Sequence, residues 1–264
     1  FIIAGLGCPS GCDFCATTEM HANQRVHLFT PDKIFETMKN VFRTQPDTLC
    51  VIVYDEDWLK YPDEVREVGR LIQEDTEFGL RKLNWLALSS IESLSQYDFD
   101  ELPLTGFKNT FIGIESKFAP QEGYQKRTAT LGAKETIHAL HDRGISTTGG
   151  LMLGFDFHDR VNIQEDINYY VACEMTNHQI SQVMPFPGTP LWYRLKEEGR
   201  LEEAPWLECG FYGGGGYKYR NFENHELQAL ILEGYRRFYE TWGPTVMRQI
   251  KVDIDGYEWC RASN

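Results

Sequence analysis

The sequence lacks any apolar run long enough to cross a bilayer as a helix. It is also short of basic charge: 26 Lys and Arg stand against 39 Asp and Glu, a formal net charge of −13. Such a field repels phosphate backbones, which argues against a general nucleic-acid binder. Cysteine is sparse and unevenly placed. Of seven, Cys50, Cys173, Cys209 and Cys260 are dispersed and form no second C-x2-C pair, with Cys209 and Cys260 the faint candidates for a second metal site. That pattern excludes a secreted disulfide framework and fits a reducing, cytoplasmic setting. Low complexity is confined to Gly213-Gly214-Gly215-Gly216, which lacks the Lys and Ser/Thr of a phosphate loop. The first residue is Phe1, and no signal peptide precedes the first strand. An excised piece with a further domain upstream is therefore expected.

What is present is ordinary globular material, 264 residues with 42% hydrophobic and 25% charged, enough to bury a sizeable core. Apolar runs and helical periodicities alternate along the chain. Strands are expected at Phe1–Leu6, Leu49–Tyr54, Leu83–Ser89, Thr110–Ile114, within Ser146–Phe155, and at Ile180–Met184. Helices are expected from Pro31, from Pro62, around Leu94, over Ala133–Arg143 and near Val161–Cys173. Thr30-Pro31 reads as an N-cap followed by proline at the first helical position. Six strand-helix alternations without a hairpin signal imply right-handed crossovers and a parallel sheet. Beyond Pro190 a short helix over Trp192–Glu198 and a longer one through Leu227, Ile231, Phe238 and Trp242, ended by Gly243-Pro244, form a helical C-terminal part expected to pack on the sheet.

The densest chemistry is in Gly7-Cys8-Pro9-Ser10-Gly11-Cys12-Asp13-Phe14-Cys15, on a Gly- and Pro-punctuated loop leaving the first strand. Three thiolates at C-x3-C-x2-C can converge on one soft metal centre. A structural zinc site would need a fourth ligand, which His21 or His27 could supply, so a non-catalytic zinc-binding α/β module is the alternative reading. In a parallel sheet ligands collect at the carboxyl ends of strands. That rule gathers the cysteine loop, Asp55-Glu56-Asp57, Glu115-Ser116, the Gly150–Gly154 region and Pro187-Gly188-Thr189-Pro190 on one rim. Each has a plainer explanation taken alone: strand-end acids are usually solvated, Pro-Gly-Thr-Pro is a rigid turn, Lys126-Arg127 is a solvated face, and His138 with His141 lacks a third metal partner. Trp58, Trp85, Tyr124 and Trp192 read as core before they read as pocket lining.

The cysteine spacing, with an aromatic residue just before the third cysteine, resembles the radical S-adenosylmethionine (SAM) enzymes. The resemblance implies a partial (β/α)6 TIM-like barrel over residues 1 to about 190, with a C-terminal helical extension from about 191 to 264. By resemblance, Cys8, Cys12 and Cys15 hold a [4Fe-4S] cluster whose open iron is chelated by SAM, and Phe14 lies near the adenine. Asp55, Glu56 and Asp57, the acidic end of the second strand, occupy the place that receives the SAM amino group. Glu115 and Ser116 match the end of strand four, which contacts the ribose and carboxylate. Gly150-x-Met152-x-Gly154 resembles the adenine-side motif, although the acid expected three residues later is Phe157 here. The double acid, the Gly-x-Glu-Ser strand, the Pro-Gly-Thr-Pro turn and the aromatic C-terminal helix resemble the cobalamin-binding subgroup, many of whose members are methyltransferases. That implies a small-molecule substrate and a flavodoxin- or ferredoxin-type electron donor. Methylthiotransferases acting on tRNA share the turn, but the dispersed cysteines and the acidic charge do not support them.

Overall fold

The structure is a computed structural model that describes residues 1–79, 82–118, 132–203, 209–210, 212 and 214–263. Tyr124, Lys126, Arg127 and Gly213, named above, lie outside these. The elements in chain order are β1 (Ile2–Ile3), β2 (Gly5–Leu6), α1 (Ala16–Met20), β3 (Val26–His27), α2 (Pro31–Thr44), β4 (Val51–Tyr54), α3 (Pro62–Glu74), β5 (Trp85–Ser89) and α4 (Ile91–Leu94). There follow β6 (Phe107–Glu115), α5 (Ala133–His141), β7 (Ser146–Leu153), α6 (Asn162–Ala172), β8 (Asn177–Gln182), α7 (Pro190–Glu197), α8 (Asn224–Trp242) and α9 (Thr245–Ala262).

Six strands form one sheet in the order β1-β4-β5-β6-β7-β8. Every neighbouring pair is parallel. The expected α/β architecture of parallel strands with helical crossovers is what forms. Two details differ. The run Phe1–Leu6 is not one strand: Ile2–Ile3 joins the sheet, whereas Gly5–Leu6 turns into an antiparallel ribbon with Val26–His27. Two-residue partners leave no alternation pattern long enough to read in advance. The second is α9, which carries no continuous apolar stripe; its buried residues are Arg248, Val252 and Gly256. Among the described residues no helix is long and apolar enough to cross a membrane.

Most buried side chains form a single cluster that runs from Ile34 and Phe42 of α2 through Val53, Trp85 and Ile180 of the sheet to Leu227 and Phe238 of α8. The C-terminal part therefore closes the same core. Helix α9 is held differently. Arg248, buried among apolar neighbours, donates to the carbonyls of Thr176 and Gly243 and to Thr245 Oγ1, and lies over the Phe238 ring. At Gly256 the helix meets the turn after α5 so closely that a Cβ there would come within 2.3 Å of Gly144 Cα. Gly256→Ala should force the helix off this turn and cost about 1–3 kcal/mol in denaturant unfolding, as overpacking does.

Two histidines make the fold pH-sensitive. Burial pushes His141, whose Nε2 lies within hydrogen-bond reach of Thr147 Oγ1 and Thr176 Oγ1, down to about 4. Burial and the Arg248 charge do the same to His178, also to about 4. Between those values and the ordinary 6.5 only the unfolded chain takes up the proton, so what these two histidines contribute to stability is constant above about pH 6.5 and is lost as pH drops towards 4. Chemical denaturation at pH 7 and 5 should differ by about 1–2 kcal/mol for each histidine. The His141→Gln variant should lose roughly its share of that slope.

Candidate active site at the carboxyl rim of the sheet

The cysteine loop starts at Gly7, whose φ of +88° and whose closeness to the Gln24 carbonyl, 2.1 Å from a notional Cβ, leave no room for a side chain. Its amide donates to Glu56 Oε2 at 3.0 Å, tying the loop to the end of β4. A turn closed by Cys15 N–H on the Cys12 carbonyl brings the second and third cysteines round, and α1 begins directly after Cys15. The far side of the loop is fastened to α7. Leu191 N–H donates to the Asp13 carbonyl at 3.0 Å, and Arg194 sits 3.5 Å from the Asp13 carboxylate. Thr189 caps α7 by accepting from Trp192 N–H, so the Pro-Gly-Thr-Pro turn aims that helix at the loop.

Cys8, Cys12 and Cys15 open onto one cavity of about 320 Å³, in company with Phe14, Asp55, Glu56, Asp57 and Glu115. That size is near the lower end for small-molecule sites. None of the three cysteines is in a disulfide. Eight residues named from the sequence are thus brought together around one cavity. Among the described residues no three His, Cys, Asp or Glu side chains are already gathered as a tight ligand set. The donor set nonetheless suits a thiolate-held cluster: three reduced thiols on a Gly-hinged loop, facing a single concave space. Neither His21 nor His27 lines this cavity. His27 instead contacts Arg25 and Glu64.

The acidic triplet divides its labour. Asp55 is sealed against Arg25, whose Nε and Nη2 reach Asp55 Oδ2 at 2.8 and 2.7 Å. The same guanidinium holds Glu64 and lies 4.1 Å over the Tyr61 ring. Burial alone would raise the Glu64 carboxyl, but hydrogen bonds from Arg25 and Trp58 hold it below the usual range. Asp57, the third acid of the triplet named from the sequence, keeps an oxygen without a hydrogen-bond partner. Its Oδ2 accepts from Ser90 and Ser93 at 2.9 and 2.8 Å, while its Oδ1 is buried without a partner. Burial pushes its carboxyl above the ordinary value, against those hydrogen bonds. The sequence signal for it was present, since Ser90 and Ser93 follow β5, but pairing them with Asp57 needs the fold.

Glu115 ends β6 in a left-handed conformation, φ 58°, where the register with β7 slips between Gly113 and Glu115. Such conformations in non-glycine residues concentrate at functional sites. Ser116 does not face the cavity. Its hydroxyl donates to Asp166 Oδ2, which also receives His158 Nε2 at 2.8 Å, and Lys117 N–H donates to Asp166 Oδ1. Because His158 Nδ1 already accepts the amides of Gly154 and Phe155, Nε2 carries the proton. This Ser-His-Asp cluster is a buried brace between the ends of β6 and β7, with the serine on the acid and not on the histidine. Gly150, Met152 and Gly154 also stand back from the cavity. A Cβ at Gly150 would press on the cavity-lining Phe111 ring at 3.1 Å, and Met152 packs beside Cys12 and Cys15 in a second apolar cluster around Phe14 and Phe155. Phe157 stacks on Phe155 at 5.0 Å, so the position where an acid was expected is part of that aromatic wall.

No protein-family profile matches the chain. Its fold superposes on the radical SAM methyltransferase TsrM from Kitasatospora setae, solved with cobalamin and a [4Fe-4S] cluster, with a TM-score of 0.65 at 17% identity over 77% of this chain. The fold is that of the radical SAM enzymes. Methylornithine synthase gives a TM-score of 0.54 at 15% identity over 96% of this chain and 68% of that one. In sequence, the bacteriochlorophyllide d C-12(1)-methyltransferase of Chlorobaculum tepidum is 24% identical over 215 residues, 80% of this chain. This chain spans only 45% of that methyltransferase and 40% of TsrM.

Arg25→Met should be the most damaging change near this site, because it strands two buried carboxylates. A loss of about 3–5 kcal/mol in denaturant unfolding is expected, with Asp55→Asn partly restoring stability in the double variant.

Proposed function

We propose that this chain is the catalytic core of a radical SAM enzyme in which Cys8, Cys12 and Cys15 hold a [4Fe-4S] cluster and SAM binds beside it. The observation that carries the reading is the single cavity that collects all three thiols with the strand-end acids. When bound, the cluster supplies one electron that cleaves SAM to methionine and a 5′-deoxyadenosyl radical, which takes hydrogen from an unactivated C–H bond. The protein's own part is positional. Asp57 offers its unpartnered oxygen to the SAM ammonium, a task the resemblance gives to the triplet Asp55-Glu56-Asp57 as a whole. Here Asp55 serves Arg25, and Glu56 serves the Gly7 amide. Phe14, backed by Phe155 at 5.8 Å and by Phe157, supplies an apolar wall for the adenine and keeps water from the thiols. Glu115 faces the ribose side.

The finer reading is a cobalamin-linked methyltransferase acting on a small molecule. The matches to two methyltransferases, one of them solved with cobalamin, support it. A cobalamin-binding domain would lie upstream, and a flavodoxin- or ferredoxin-type protein would deliver electrons. The −13 charge and the widely separated Cys50, Cys173, Cys209 and Cys260 weigh against a tRNA methylthiotransferase with a second cluster. Burial pushes the Cys50 thiol up to about 11 and that of Cys173 to about 12, which suits packing better than metal binding.

Anaerobic reconstitution with iron and sulfide should load about four of each per chain, and SAM with dithionite should then yield 5′-deoxyadenosine by mass spectrometry. Cys12→Ala should abolish both while the circular dichroism spectrum is kept. About one zinc per chain in place of iron would sink the proposal and favour the zinc module. Separately, Asp57→Asn should weaken SAM binding roughly 10- to 100-fold in equilibrium dialysis at unchanged iron content, the worth of one hydrogen bond to a charged group. An unaltered Kd would move the ammonium site elsewhere.

A further inference from the structure

Next to the cysteine loop stands a cation, Lys60, that the proposed function leaves without a role. Lys60 ends the short 3-10 turn Trp58–Lys60 that follows the acidic triplet. Among the described residues, the hydrogen bond its ammonium makes is to Ser10 Oγ, at 3.1 Å. Ser10 lies inside the cysteine loop, and its Oγ is 3.1 Å from Cys8 Sγ. A continuous chain thus runs Lys60–Ser10–Cys8 from the end of β4 to the first cysteine. Lys60 and Ser10 are both half-buried. Lys60 acts on the Asp57 carboxylate electrostatically but forms no ion pair among the described residues, so no carboxylate contact cancels its charge.

We infer that Lys60, acting through the Ser10 hydroxyl, is a positioning residue that sets the reduction potential of the cluster held by Cys8. The inference rests on the proposed function. Cysteine ligates metal as the thiolate, which has no proton to give. The Ser10 hydroxyl hydrogen is then the one available to the 3.1 Å Cys8–Ser10 contact, while Lys60 continues to donate to the Ser10 oxygen. The sulfur accepts a hydrogen bond from a hydroxyl that is itself polarised by an ammonium group, and hydrogen bonds to cluster sulfurs are among the levers on potential. One-electron reduction, with the electron from a low-potential donor of the dithionite or flavodoxin type, adds a negative charge and moves no proton or ligand. A nearby cation favours the more negative state, so the Lys60–Ser10 relay raises the potential and eases reduction.

The test is an EPR-monitored redox titration of the reconstituted protein, independent of turnover. Lys60→Met should make the cluster about tenfold harder to reduce, a fall of about 59 mV for a one-electron couple. Lys60→Arg, which keeps the charge, should stay near the parent value. Ser10→Ala cuts the relay without touching the 3-10 turn and should reproduce part of the fall. Lys251→Met, on α9, should leave the potential unchanged. Full iron and sulfide content with the same midpoint in the Lys60→Met and Ser10→Ala variants would overturn the inference and leave the radical SAM reading standing. Failure of the parent protein to bind iron and sulfide would instead overturn both.

Discussion

Arg25 stands between two carboxylates that cannot be left unpaired in a buried setting, and the site is assembled around that constraint. Its guanidinium is sealed from solvent, stacks on Tyr61 and bridges Asp55 of the β4 end with Glu64 of α3. A buried ion pair of this kind adds little net stability over apolar packing, but its geometry is demanding. Here it pins the segment after the cysteine loop to the sheet. Gly5 makes the approach possible, because a Cβ there would lie 2.6 Å from Arg25 Nε and 2.7 Å from Asp55 Oδ2. The short β2–β3 ribbon, invisible as periodicity, is the backbone side of the same clamp.

With the loop so fixed, three further contacts decide where the thiols point. Glu56 receives the Gly7 amide, Asp13 is met by Leu191 and Arg194 of α7, and Ser10 is met by Lys60. Each joins the loop to a different element, so the loop is braced from β4, from α7 and from the 3-10 turn. The rim opposite is braced by Asp166, which gathers Ser116, Lys117 and His158 and so locks the ends of β6 and β7 together.

Parallel strands were legible because short apolar runs such as Val51–Tyr54 and Trp85–Ser89, separated by amphipathic helices, have few other ways to bury both faces. The cysteine loop was legible because its ligands are close in sequence. Helix α9 was not, since it is anchored by one buried arginine and a glycine-on-glycine crossing, features that generate no hydrophobic repeat. Which acid of the triplet Arg25 would occupy was equally hidden. Asp55 and Asp57 follow the same strand, and only the position of Arg25, thirty residues earlier in the chain than Asp55, distinguishes them.

The sequence by itself determined the alternation of the sheet strands with their helices and the close spacing of the three cysteines, because these depend on local periodicity and spacing. The tertiary structure decided which acids are occupied and which is open, that Ser116 faces Asp166, and that Lys60 reaches the first cysteine through Ser10. Those outcomes depend on contacts between residues far apart in the chain, and a buried charge is settled by whichever partner the fold brings to it.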